Sequence, residues 1–262
     1  MIEINNISKT FNSGDVNEVR ALEGITLKLE PGEFVTVIGS NGAGKSTMLN
    51  LLAGVFPCDV GTITIASRDV TRWQEHQRAS LIGRVFQDPL RGTAGSMTIE
   101  QNLSMALLRG KRRGLKIGVS GKDRTFFREQ LALIGLGLEN RLSSKISLLS
   151  GGQRQSLTLL MAALTRPRVL LLDEHTAALD PGTAEQIANL TQQLVREYGL
   201  TTLMVTHNMQ HALSLGTRTV MMHRGKVILD TRGEERARMS VADLVKKFAE
   251  NRAMTDVIAL SN

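Results

Sequence analysis

The stretch EFVTVIGSNGAGKST, residues 33–47, decides the fold. EFVTVIG (33–39) is a short apolar run that closes on glycine, the pattern of a buried strand. GSNGAGKST (39–47) then matches a phosphate-binding loop: glycine, four residues, Gly-Lys-Ser/Thr. Together they predict a strand, a tight turn and a helix from Lys45 to Ala53. Gly39, Gly42 and Gly44 let the backbone of the turn, Ser40, Asn41 and Ala43 included, aim successive N–H groups at phosphate oxygens, and the helix adds its positive N-terminal end. Lys45 is placed to reach the β and γ phosphates. Ser46 is placed to offer its hydroxyl to Mg²⁺, and Thr47 to bond a phosphate oxygen.

A second decisive stretch is VLLLDEHTAALD, residues 169–180. Four apolar residues run into two adjacent carboxylates, Asp173 and Glu174. Two carboxylates at a strand end usually mean a solvated turn, but the apolar run and the phosphate loop upstream favour chemistry. Mg²⁺ wants oxygen ligands and keeps much of its water, so Asp173 is the candidate to hold it through a coordinated water. Glu174, one position further out, is the candidate to orient and deprotonate a water attacking the γ phosphate.

Strand and helix patterns alternate around these two stretches. IEINNIS (2–8), LEGITLKLE (22–30), GTITI (61–65) and LIGRVF (81–86) read as strands. So do LTTLMVTH (200–207), RTVMMH (218–223) and GKVILD (225–230). Asp180-Pro181 opens a helix that stops near Gly199. Such alternation implies a largely parallel sheet covered on both faces. From about 98 to 165 the spacing is helical throughout, which predicts a helical lobe inserted into an α/β core. The expected fold is α/β: a P-loop NTPase core with a mostly parallel sheet and an inserted α-helical subdomain, with an N-terminal antiparallel β subdomain implied by the family resemblance that LSGGQ (149–153) carries. Residues 1–88 and 158–262 form the core in this reading, and 89–157 form the lobe.

Composition narrows the class. No apolar run is long enough for a membrane helix, and MIEINNISKTF carries Glu3 and no apolar segment of signal-peptide type. These features lead us to expect a soluble protein made in the cytosol. One cysteine, Cys58, excludes an internal disulfide. The net charge of +7 suits anionic partners, but only 3% of residues are aromatic, which argues against nucleic-acid stacking. The basic run RGKRRGLK (109–116) reads as a solvated loop, with acidic lipid head groups the next reading. Methionines 204, 221 and 222 read as core filler.

LSGGQ at 149–153 resembles the signature sequence of ATP-binding cassette proteins. It stands in the family's order with the phosphate loop, VFQDP (Gln87), VLLLDE, AALD (177–180) and VTH (His207). The resemblance implies a head-to-tail homodimer, with each ATP between the phosphate loop of one copy and the signature of the other. Ser150, Gly151, Gly152 and Gln153 would face the γ phosphate ahead of a helix read at LTLLMAAL (157–164). Gln87 is similar to the family glutamine that touches Mg²⁺ and the attacking water, and His207 to the switch histidine. Asp180 would hold the dimer interface near the opposite site. Phe11 would stack on adenine.

Three positions depart from the family pattern: His175 for the usual proline, Asn208 for a frequent aspartate, and Ser156 for a frequent arginine. None removes a group that touches phosphate or metal. His175 reads as a subgroup marker, with a supporting role toward Glu174 as the alternative. The signature and strand-end stretches resemble a bacterial importer subgroup, some of whose members carry amino acids, aromatic ones included. SSKISL (143–148) stands where exporters carry an acidic-glycine sequence. The resemblance thus implies an ATPase subunit peripheral to the cytoplasmic face of the bacterial inner membrane. It would work with two transmembrane permease subunits, indirectly with a substrate-binding protein, and without nucleic acid. The alternatives are a soluble cassette ATPase acting on DNA or ribosomes, and a cassette that binds ATP without hydrolysing it.

Overall fold

The computed structural model describes residues 1–111 and 118–260, with side chains described to residue 251. Most of the basic run at 109–116 falls outside the described residues. The chain forms two compact units, Met1–Arg72 with Leu203–Asn262, and Trp73–Thr202.

The first unit opens with an antiparallel sheet. Strands β1 (Ile2–Phe11), β2 (Val19–Leu29), β4 (Val60–Ile65) and β5 (Arg68–Asp69) lie in the order β2-β1-β4-β5. Ile2, Ile4 and Ile7 all point inward, although the spacing from Ile4 to Ile7 breaks the two-residue period. A register shift in the pairing with β2 between those two residues restores the inward face.

The strand β3 (Phe34–Gly39) is buried along almost its whole length, as its apolar run predicts. It pairs in parallel with β9 (Arg218–His223), from Val35 opposite Arg218 to Gly39 opposite Met222. β10 (Lys226–Arg232) runs antiparallel to β9, and β8 (Thr202–Val205) neighbours β3 on its other side. The one polar side chain in the middle of β3, Thr36, is satisfied: its hydroxyl lies 2.9 Å from the Ala212 carbonyl and 3.0 Å from the Thr219 hydroxyl. Helices α1 (Lys45–Ala53), α7 (Met209–Ser214), α8 (Gly233–Arg238) and α9 (Val241–Leu260) complete this unit. Ile38, Ala212, Met221 and Leu244 of α9 pack as one buried cluster. The three methionines expected as core filler are buried.

The second unit holds α2 (Glu75–Arg78), β6 (Ile82–Val85), α3 (Ile99–Leu107), α4 (Gly121–Ala132), α5 (Gly151–Ala163), β7 (Val169–Asp173) and α6 (Pro181–Tyr198). β6 and β7 pair in parallel, Ile82 opposite Val169 and Val85 opposite Leu172. Capping boxes start α3 at Thr98, α4 at Ser120 and α5 at Ser150, each side-chain oxygen accepting from the N–H three residues on. Leu103, Phe127 and Leu131 are fully buried, as the helical spacing of this region predicts. One expectation needs correction. The helix read at 157–164 begins six residues earlier, at Gly151, because Ser150 and Gln153 close a reciprocal cap that outweighs the weak helical propensity of the two glycines. Among the described residues no helix is long and apolar enough to cross a membrane.

Candidate functional site

The candidate residues divide between the two units. In the first, β3 stops at Gly39, and a turn through Gly44 enters α1 at Lys45. Gly44 has φ 96°, and a Cβ there would collide with the Ala21 carbonyl oxygen, so the turn demands glycine on both counts. The N-terminus of α1 has no side-chain cap and no acidic residue in its first turn. The positive end of the helix, carrying neither a side-chain cap nor an acidic residue, is thus suited to an anion. Lys45 folds back over the turn. It is only 6% exposed, and its Nζ donates to the carbonyls of Gly39 at 2.8 Å and Ser40 at 2.9 Å. A buried ammonium beside an uncapped helix N-terminus has the charge to suit a phosphate. Asn41, Gly42 and Ser46 are exposed, Ala43 is buried, and Ser40 and Thr47 are half-buried.

Phe11 ends β1 half-buried. Its ring meets Phe56 edge-on at 5.3 Å, with Lys9 Nζ 5.6 Å from its centroid. His207 follows β8 and is exposed. Asn208, the departure beside it, caps α7 by accepting from the His211 N–H at 3.0 Å. Asparagine caps as well as aspartate, so the substitution keeps the turn that carries His207.

In the second unit the parallel register does the positioning. Val85 sits opposite Leu172 as the last pair of the ladder, and Gln87 and Glu174 each follow two residues beyond it, where β6 and β7 end. Gln87 is exposed, while Asp173 and Glu174 are half-buried behind a fully buried run, Leu170 to Leu172. Glu174 has φ 45°, left-handed backbone that a residue with a Cβ rarely adopts. Arg84 on β6 approaches Asp173, Nη2 to Oδ2 3.6 Å, and lies over the Phe86 ring at 4.5 Å; Arg91 lies over the same ring at 5.0 Å. Burial pushes the Arg84 guanidinium below its ordinary value, and the Asp173 carboxylate works in the opposite direction.

The signature residues form the first turn of α5. Gln153 N–H donates to Ser150 Oγ at 3.2 Å, and Ser150 N–H donates to Gln153 Oε1 at 3.2 Å. The Ser150 hydroxyl still has its own proton to give, and Ser150 and Gly151 are exposed. A Cβ on Gly152 would strike Thr183 Cγ2, so glycine lets α5 lie against α6 without displacing that side chain. Asp180 caps α6 and accepts from Thr183 N–H at 3.0 Å, which together with the Thr183 hydroxyl holds its carboxyl below the usual carboxylate range. Beside the signature turn opens a cleft of about 520 Å³ whose lining includes Ser150, Gly152, Gln153 and Thr183. Ser156, the third departure, is 2% exposed and donates to the Gly152 carbonyl at 3.0 Å.

Three side chains near the strand exits escaped the sequence reading. Arg84, Gln155 and Thr191 each act through partners distant in sequence, and nothing in their local pattern separates them from ordinary strand or helix residues. His175 is 2% exposed, and its Nε2 lies 2.9 Å from Thr191 Oγ1.

The chain matches the ABC transporter family model over residues 22–177. It is 46% identical over 250 residues to a tyrosine transport ATP-binding protein of Clostridioides difficile (strain R20291), covering 95% of this chain and 98% of that one. It is 36% identical to methionine import ATP-binding protein MetN 2 of Bacillus anthracis, covering 87% of this chain and 65% of that one. Among solved structures it resembles a dimeric ATP-binding cassette in a post-hydrolysis state bound to ADP and Pi, with TM-score 0.74, 31% identity, and coverage of 88% of this chain and 98% of that one. A family model spanning more than half its length and a relative nearly half identical from end to end place the chain in the ATP-binding cassette family of transporter ATPases.

Proposed function

We propose that the chain is the ATP-hydrolysing subunit of a bacterial membrane importer, working as a head-to-tail homodimer with two ATP sites. The observation that supports this reading is the parallel pairing of β6 and β7, whose last paired residues, Val85 and Leu172, each stand two positions before Gln87 and Glu174. A polar side chain that orients water and a carboxylate that can take its proton belong together only where a water is to react.

The roles follow from the chemistry of each group. The amides of residues 39–47, with Lys45 and Thr47, bind the phosphates, and Phe11 stacks on the base. Glu174 accepts the proton of the attacking water, Gln87 orients that water, and His207 contacts the γ phosphate. Ser150, Gly151, Gly152 and Gln153 serve the nucleotide held by the partner subunit, and Asp180 lies at that interface. Asp173, Ser46 and Gln87 present only oxygen donors, which fits Mg²⁺. Bound there, the ion would neutralise charge on the phosphate oxygens.

Residues 1–88 and 158–262 act as the nucleotide-binding core. Residues 89–157 act as the lobe that meets two transmembrane permease subunits, and through them a substrate-binding protein. The subunit sits peripherally on the cytoplasmic face of the inner membrane. The near full-length likeness to a tyrosine transport protein favours aromatic amino acids as cargo. Two measurements test this. Purified protein hydrolyses ATP in a Mg²⁺-dependent way, and Glu174→Gln abolishes that turnover. Deletion of the gene lowers uptake of labelled tyrosine, and a plasmid copy restores it; unaltered uptake would remove the cargo while leaving the ATPase.

A further inference from the structure

Gln155 lies in the second turn of α5 and is 1% exposed. Its side-chain Nε2 donates to two main-chain carbonyls from separate segments, His175 at 2.6 Å and Phe86 at 3.2 Å. Phe86 directly precedes Gln87, and His175 directly follows Glu174. One amide therefore clasps both strand exits that deliver the water-handling side chains. Because both partners are acceptors, the NH₂ end must face them, which leaves Oε1 buried without a hydrogen-bond partner among the described residues. An apolar side chain of the same length would avoid that orphan acceptor, so packing alone does not explain an amide here.

His175 adds a second tie. The Thr191 hydroxyl gives its single proton to the Ile187 carbonyl at 2.7 Å, so it can only accept from His175 Nε2 at 2.9 Å. The hydrogen-bond network thus assigns the ring proton to Nε2. The residue after Glu174 is held from both ends, its carbonyl by α5 and its side chain by the middle of α6. Between that double anchor and the buried strand β7, Glu174 keeps its left-handed backbone against local preference.

We infer that Gln155 and His175 are positioning residues for hydrolysis, a clasp that carries any displacement of the signature helix α5 to Glu174 and Gln87. This rests on the reading of the chain as a dimeric ATPase whose α5 N-terminus meets the partner subunit's nucleotide. Within one chain, engagement of the signature at one site is then joined mechanically to activation of water at the other.

Steady-state ATPase kinetics of two substitutions at one position test the clasp. His175→Leu removes the donor and keeps bulk, while His175→Gln places an amide nitrogen near the position of Nε2. The leucine variant loses about ten-fold in kcat with KM for ATP little changed, because small misplacement of a reacting group costs rate rather than binding. The glutamine variant recovers most of that loss. Gln155→Met, close in shape but without the donor, shows the same split between kcat and KM. Wild-type turnover in His175→Leu, equal losses in the leucine and glutamine variants, or a loss that tracks KM and melting temperature would each overturn the clasp. Should Gln155→Met fail to fold, the His175 pair decides alone. Absence of ATP hydrolysis in the unmodified protein, or full turnover in Glu174→Gln, would instead overturn the proposed function.

Discussion

The backbone at Glu174 allows chemistry and strain to be separated. Glu174 has φ 45°, at the point where the buried strand β7 gives way to a turn closed by the Ala177 N–H to the Glu174 carbonyl at 2.9 Å. A residue with a Cβ held in left-handed backbone costs about 1–2 kcal/mol. Glu174→Gln keeps that strain and removes only the base. Its stability should match wild type, while its turnover falls roughly 10²–10⁴-fold, the range for loss of a general base. Glu174→Gly removes both the base and the strain. Against the relief stands the greater freedom of glycine in the unfolded chain, about 0.5–1 kcal/mol. The net gain over the glutamine variant is therefore about 0–1.5 kcal/mol, which in a chain of this size raises the melting temperature by up to about 5 °C. Paired thermal melts and single-turnover ATP hydrolysis on the two variants measure both quantities. A glycine variant that melts below the glutamine variant would mean the turn is unstrained. A glutamine variant that hydrolyses ATP at the wild-type rate would remove Glu174 from the chemistry.

Lys45→Met removes the ammonium that spans the Gly39 and Ser40 carbonyls. With charge-assisted hydrogen bonds worth about 1.5–3 kcal/mol, ATP affinity by calorimetry should fall at least about ten-fold; unchanged affinity would refute the phosphate role. Ser150→Arg puts a long cation on an exposed signature residue. In a Glu174→Gln background it should stop the ATP-induced dimer seen by light scattering yet leave nucleotide binding intact, and loss of binding as well would argue against a shared site. Arg84→Met removes the cation facing Asp173 at 3.6 Å. A pair of this kind is worth up to about 1 kcal/mol, so Mn²⁺ affinity measured by electron paramagnetic resonance should rise by up to about five-fold. A fall would mean that Arg84 supports the site rather than competing for it.

Much of the fold was legible because its decisive features are local. The helix from Lys45 to Ala53 and the strand from Arg218 to His223 match their sequence readings residue for residue. In both, apolar runs are bounded by glycine or a charged residue, and the physical signal lies within a few positions. The start of α5 was misplaced because glycines disfavour a helix on propensity alone, while the reciprocal Ser150–Gln153 cap that offsets them forms only once the turn closes. His175 reads in sequence as a subgroup marker, with a supporting role toward Glu174 only as the alternative, since what distinguishes it is a hydrogen bond to Thr191, sixteen residues further along the chain.

By itself the sequence determined the phosphate loop, the strand-end carboxylates, the signature turn and the alternation that makes the protein α/β. Each depends on backbone freedom, charge or periodicity among neighbouring residues, and these survive without a three-dimensional context. Tertiary structure alone decided that β6 and β7 pair in parallel up to Val85 and Leu172, that Arg84 faces Asp173, and that Gln155 grips the carbonyls of Phe86 and His175. Those contacts join segments far apart in the chain. Their energies come from strand register and buried hydrogen bonds, and no sequence period records which distant carbonyl a buried amide will find.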